Sequence, residues 1–489
     1  MTVEGPAWSS PGLRVGVGRY PLAVEQPVMS KAARLVPGVT TVTPHARYFA
    51  VHGLVAAEAR AQGLDRERTQ DLVRRAEVAL AAVSFVHHGG HDSTIGRAHG
   101  TDALISWLKS GMVPLAEASR AGRGGYVGSA WGFSAAYFGS ELTIGVLAPD
   151  RAPGPACEEP LLRRSLGELL ELARREQLQA DDLAGHHDLC ICAGAGTEDG
   201  DWLAGLLCGT DTRAPDTEAT QRRRATIQLV ARIIDTHKIG TVTGDVGNIL
   251  AFGSFLTEDQ ITARSPVAGE WRGLVLRNHT VSAWRRLWAW LVNGVSELTH
   301  VDDMVAALAD QLPVGTVESF LATLPPTMSA AGEPTNAEVL LGAGSDGPQQ
   351  DLAILAAGAA RTRELTGPAL QVFAGRPDQE LTPSWFSALL HAQRSSPMAD
   401  FACRLVQLLV ARSERVAFMK TRRNADGTLW FPGRLRSLDG GWLYRTGKER
   451  RGSVNLRLDR LGNVLVGAGV LAAGPEGLSV TEKGRALLG

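Results

Sequence analysis

Residues 278–298, NHTVSAWRRLWAWLVNGVSEL, are apolar around too much of their circumference to lie on a surface. As a helix the stretch presents Trp284, Leu287, Trp288 and Trp290 to more than one side, so it has to be packed on several neighbours at once. The neighbours are legible in the same terms. Leu162, Leu166, Leu169, Leu170 and Leu172 recur at helical spacing over 161–177, and Leu72, Val73, Ala76, Val78, Leu80 and Val83 form one face of 65–85 against Arg66, Glu67, Arg74 and Arg75 on the other. Further helices are expected over 26–35, 44–60, 101–109, 114–120, 200–207, 217–237, 246–255, 351–365, 382–394 and 398–420. The expected fold class is mainly α, a multi-domain helical protein with a C-terminal winged-helix (α+β) module.

With 489 residues the chain exceeds the size at which one core keeps growing. RAPGPACEEP, residues 151–160, has three prolines and one glycine and reads as a linker, as does the Pro- and Gly-rich run 324–350. The expected division is an N-terminal helical domain at 1–150, a central helical domain at 151–330, a linker and helical connector at 331–400, and a basic winged-helix-like domain at 401–489. The net charge of −1 gives no global attraction to polyanions, so any such affinity has to be local. Five irregularly spaced cysteines do not make a disulfide framework, and no run of about 18 apolar residues occurs. These features lead us to expect a cytoplasmic protein with no membrane partner.

Residues 35–54, LVPGVTTVTPHARYFAVHGL, carry the densest local signals. Pro37-Gly38 marks a turn, 39–42 is β-branched and extended, and Thr43 before Pro44 is a helix start in which the hydroxyl caps and the proline has no N–H to leave unpaired. Arg47 and Tyr48 at the entrance are expected to be a buried hydrogen-bonding pair. The segment resembles one in uncharacterised bacterial proteins of defence and mobile-element loci, through Pro37, Gly38, Thr40, Thr41, Thr43, Ala46, Arg47 and Tyr48. A second echo is Glu270, Trp271, Arg272 and Arg277, followed by Trp284, Leu287, Trp288 and Trp290. The resemblance implies kinship and setting, and it transfers no activity.

Local charge is concentrated near the tail. Between Arg415 and Arg460 there are twelve lysines and arginines against four acids. A helix is expected over 454–470, and the sequence after it resembles the close of many winged-helix domains, through Gly469, Val470, Leu471, Leu478, Val480, Thr481, Lys483, Gly484 and Leu487. The resemblance puts the 454–470 helix in the recognition position. Arg445, Lys448, Arg450, Arg451, Asn455, Arg457 and Arg460 are then the candidate nucleic-acid contacts, with guanidinium and ammonium groups flanking phosphates.

Two groups of metal-type side chains stand apart in the chain. His87, His88, His91 and Asp92, with His99 beyond, lie around a Gly89-Gly90 break that leaves their spacing unfixed. His186, His187, Asp188, Cys190 and Cys192 make the other, but Leu189-Cys190-Ile191-Cys192 alternates like a buried strand. Taken singly, neither group completes a site, so no metal and no cofactor is expected. Gly194–Gly196 and Gly342–Gly344 lack the continuation of a phosphate loop, and no hydrolase elbow, zinc-protease or kinase motif is present. The sequence therefore reads as a non-enzymatic, DNA-associated subunit or adaptor of a bacterial defence or mobile-element system, its partners double-stranded DNA and other proteins of that system. A metal-dependent hydrolase or nuclease using His87, His88, His91 and Asp92 is the alternative, and a structural protein-interaction scaffold is the third reading.

Overall fold

The leucine spacing read at 161–177 becomes a helix at Glu159–Arg174 in the computed structural model, with Leu162, Leu166, Leu169, Leu170 and Leu172 all buried. Residues 13–15, 18–89, 98–122, 128–343 and 347–489 are described by the structure. Throughout, helices dominate and the sheets are small. Among the described residues no helix is long and apolar enough to cross a membrane.

The chain divides into two compact units, each assembled from non-consecutive segments. The first comprises Met1–Lys31, Asn248–Asp259 and Ala268–Leu456, and the second Ala32–Gly247, Gln260–Val267 and Arg457–Gly489. This division differs from consecutive blocks ending at 150, 330 and 400, because the Pro- and Gly-rich runs are packed turns. Within 151–160, Gly154 N–H donates to Val146 O (2.8 Å) and Ala156 N–H to Gly145 O (2.9 Å), and Ala156 is buried. In 324–350 the buried Arg361 donates to Thr327 O, Thr335 O and both oxygens of Glu338, pinning the loop to the Pro348–Arg361 helix. Proline stops a helix, but it does not prevent a hydrogen-bonded turn.

The first unit is built on the helix Ala268–Gly294, ten residues longer at its start than the apolar run suggested. Trp271, Trp284 and Trp288 are buried on it and Trp290 is half-buried. Gly273 lies against the Gly367–Phe373 helix so closely that an added Cβ would collide with Ala369 O. Gly273→Ala is accordingly expected to destabilise this unit by about 1–3 kcal/mol, measured by denaturant unfolding, because neither backbone can retreat cheaply. Two three-stranded sheets complete the unit. One pairs Leu13–Val15 in parallel with Leu429–Phe431, itself antiparallel to Arg422–Arg423. In the other, Trp442–Arg445 lies between Leu298–His300 and Leu435–Ser437, antiparallel to both.

The second unit packs Arg47–Ala61, Arg66–His87, Glu159–Arg174 and Glu198–Cys208 around a common core. Its first helix begins at Arg47 and not at Pro44, because Thr43 Oγ1 is engaged by Thr40 N–H (2.8 Å) in the preceding turn. The Glu218–Thr236 helix follows, capped by Thr217. Arg223 on it is fully buried, donating to Leu206 O, Leu207 O and Pro37 O. Residues 242–246 form a π-helical turn, with which this segment of the second unit ends at Gly247. After residue 457 the unit is completed by the helix Leu458–Gly467, the hairpin Leu471–Gly474 and Gly477–Val480, and the helix Glu482–Leu488. The Leu458–Gly467 helix is shorter than the expected 454–470, because Arg457 precedes it with a left-handed backbone (φ 67°) that ends helical continuity. Ile239 bridges Leu478 of the hairpin across the intervening chain.

Candidate functional site

The helix Arg66–His87 starts with the carboxylate of Asp65 accepting Arg68 N–H (2.8 Å) and stops at a glycine, Gly89, with φ 62°. His87 and His88 therefore stand at a defined helix end. Residues 187–196 contain two short 3₁₀ turns, His187–Leu189 and Ala193–Gly196, rather than the buried strand expected over 189–193. Leu189, Cys190 and Ile191 are buried, so the alternation reported burial without a strand partner. Cys190 and Cys192 project from the link between the turns.

The two halves meet. One ligand atom each from His87, His88, Cys190 and Cys192 lies within 4.8 Å of the other three. Cys190 Sγ is 3.5 Å from His88 Nε2 and 3.2 Å from Cys192 Sγ. The hydrogen bond from the Cys192 thiol pulls Cys190 down toward the thiolate and holds Cys192 itself well above the ordinary thiol range. His187 stacks on His87 at 6.4 Å and pairs with Asp188 at 3.1 Å, while His186 pairs outward with Glu168 at 3.0 Å. His91 and Asp92 lie outside the described residues.

Arg47 fixes this loop from below. Its guanidinium, wholly buried, forms a two-point ion pair with Asp199 (3.1 Å for both bonds) and donates Nη1–H to the carbonyls of Cys190 (2.6 Å) and Asp188. Ser84 Oγ accepts Ile191 N–H at 3.0 Å. Arg47 is thus buried and hydrogen-bonded as expected, but what it locks is the Cys-x-Cys loop more than a hundred positions away. No family model, curated protein or solved structure matches the chain.

One turn along the same helix lies a second buried polar cluster that sequence reading missed. His52 is hydrogen-bonded through Nδ1 to Glu141 and through Nε2 to Glu77 (2.9 Å), and Glu77 also accepts Phe133 N–H. Burial alone would lower the His52 pKa, but the two carboxylates raise it to about 10. Tyr48 and Tyr137 wall the cluster, with their hydroxyls accepting His99 N–H and His45 N–H. His99 stacks on Phe133 at 4.2 Å and is driven down to about 3 by burial, and His45 is driven to about 4 for the same reason. Tyr48, His52, Glu77, Tyr137 and Glu141 are buried and His45, His99 and Phe133 half-buried, so the ionic centre of the cluster is a core feature.

The basic tail does not form a single folded block. Arg457 and Arg460 belong to the second unit, where they donate to Val39 O (2.8 Å) and Thr41 O (3.1 Å) and so clasp the 37–43 turn. Arg445, Lys448, Arg450, Arg451 and Asn455 belong to the first. There residues 446–456 run without regular structure, held to the long central helix by two amide side chains. Asn293 exchanges two hydrogen bonds with the Glu449 backbone (3.0 and 2.8 Å), and Asn278 exchanges two with that of Val454 (3.0 and 3.3 Å). Lys448, Arg450, Arg451 and Asn455 are exposed along this strap, while Arg445 is half-buried at its start. Arg434 is turned inward to Glu449 (2.9 Å).

Proposed function

We propose that the protein is a non-enzymatic, DNA-associated subunit or adaptor of a bacterial defence or mobile-element system. The observation that carries this reading is the order of elements in the second unit. The helix Glu218–Thr236, the bridged residue Ile239, the helical turn 242–246, the helix Leu458–Gly467 and the hairpin 471–480 follow one another as helix, short strand, helix, helix and wing do in a winged helix, with the second helix reduced to one turn. The module is then discontinuous, with residues of the first unit intervening between the 242–246 turn and the Leu458–Gly467 helix, and the 401–489 block is not its boundary. Asn463 is exposed on the helix in the recognition position.

Phosphate contact is assigned to the strap residues Lys448, Arg450 and Arg451, since the side chains of Arg457 and Arg460 are committed to the carbonyls of Val39 and Thr41. An exposed, backbone-anchored run of cations positions a duplex without reading its sequence. The test is fluorescence anisotropy of the full-length protein on duplex DNA across a salt series. Binding should weaken by orders of magnitude as salt rises, and the pair Lys448→Glu, Arg450→Glu should lose at least about tenfold in affinity with a salt slope shallower by roughly two. A flat salt response, or a pair variant that binds as the parent does, refutes DNA contact and leaves the scaffold reading. The hydrolase alternative needs an open coordination position, whereas His87 and His88 converge on two sulfurs.

A further inference from the structure

We propose that His87, His88, Cys190 and Cys192 bind one zinc ion, which joins the end of the Arg66–His87 helix to the 187–196 loop as a structural cross-link. The donor set is two imidazole nitrogens and two sulfurs. Such a set suits zinc and is wrong for magnesium or calcium, which take oxygen. A tetrahedron with Zn–S of about 2.3 Å and Zn–N of about 2.0–2.1 Å has edges of roughly 3.4–3.8 Å. The observed Cys190–His88 separation of 3.5 Å already matches such an edge, and the Cys190–Cys192 separation of 3.2 Å needs only a small opening. With no pair of donor atoms farther apart than 4.8 Å, rotamer adjustments suffice to close the set.

The surroundings give the ion a purpose. Residues 187–196 have no strand or α-helix of their own, and yet other parts of the unit are built on them. Gly194 approaches the Gly467 carbonyl so closely that an added Cβ would sit 2.8 Å from it, and Lys483 donates to Ala195 O at 3.1 Å. The loop therefore supports both the Leu458–Gly467 helix and the start of the C-terminal helix. A ligand cluster at its other end, seated on the carbonyls that Arg47 grips, would hold that support in place. Four protein donors fill a tetrahedral shell, which is the mark of structural zinc sites. The expectation of no metal treated the histidine and cysteine groups as separate; folding makes them one set.

The experiment uses full-length protein purified under reducing conditions and desalted after incubation with zinc chloride. Elemental analysis should find about one zinc per chain, falling to about a tenth or less in Cys190→Ser and Cys192→Ser, with Cys403→Ser, which is not one of the four ligands, retaining it. Cobalt(II) added to the metal-free protein should give thiolate-to-cobalt charge-transfer absorption in the parent and not in Cys190→Ser. Should the serine variants fail to fold, protection of two thiols from Ellman's reagent by zinc in the native parent still decides the matter. Metal-free parent protein with no cobalt–thiolate bands, or a Cys190–Cys192 disulfide in the protein as isolated from cells, would overturn the proposal. DNA binding and zinc binding are read out separately, so either can fail alone.

Discussion

Arg47→Met is expected to lower the stability of the second unit by about 3–5 kcal/mol, because it strips the counter-ion from a buried carboxylate. Methionine keeps the length of the side chain and its apolar stem, so the loss isolates the charge and its hydrogen bonds. Among the described residues, Asp199, 1 % exposed, would retain only the hydroxyls of Ser165 and Thr197 as donors to its side chain. The carbonyls of Asp188 and Cys190 would lose their common donor at the same time. Arg47→Met combined with Asp199→Leu removes both charges and should recover a large part of the loss, since replacing a whole buried pair by apolar groups is far cheaper than orphaning one member. Calorimetry of the two variants beside the parent checks this. A loss below about 1 kcal/mol for the single variant would mean that the pair contributes little to the folded state.

Stability should peak near neutral pH and fall on both sides, for reasons that trace to three histidines. His52 titrates near 10 in the folded protein against 6.5 ordinarily, so its contribution is complete below about pH 6.5 and is lost as pH rises toward 10. The slope on that limb should approach about 1.4 kcal/mol per pH unit. His99 and His45 are held neutral, near 3 and 4, so their contribution is present above pH 6.5 and declines as acid protonates the unfolded chain in preference. His52→Gln should flatten the alkaline limb and leave the acid limb in place. It should also cost about 3–5 kcal/mol at pH 7, because Glu77 and Glu141 would face each other without a cation. Unfolding free energies measured from pH 5 to pH 10 separate the limbs; an alkaline limb that survives in His52→Gln would rule out the imidazolium as its source.

What could be read from the sequence follows a physical divide between local and distant causes. Helices such as Glu159–Arg174 and Met398–Met419 were legible because their apolar spacing is a local property of the chain. The Thr217 and Thr382 caps agree with the expected helix starts for the same reason. The metal-type cluster was half legible twice over, since each pair of ligands is a short motif while His88 and Cys190 are 102 positions apart. Nothing local announces Glu141 as the partner of His52, 89 positions away inside an aromatic stretch. The Cys-x-Cys loop was misread because an apolar run is buried whether or not it has an edge to pair with, and only the pairing makes a strand.

The interleaving of the two units bears on how the protein is made. Ile239 waits for Leu478, and Leu13–Val15 waits for Leu429–Phe431, so each unit receives its closing strand only after the whole of the intervening chain has been made. Ordinary multidomain chains complete their first domain while the next is still being synthesised. Here both would emerge with exposed apolar helices and unmated strand edges, and nascent-chain chaperones would be expected to accompany the polypeptide until those late strands pair.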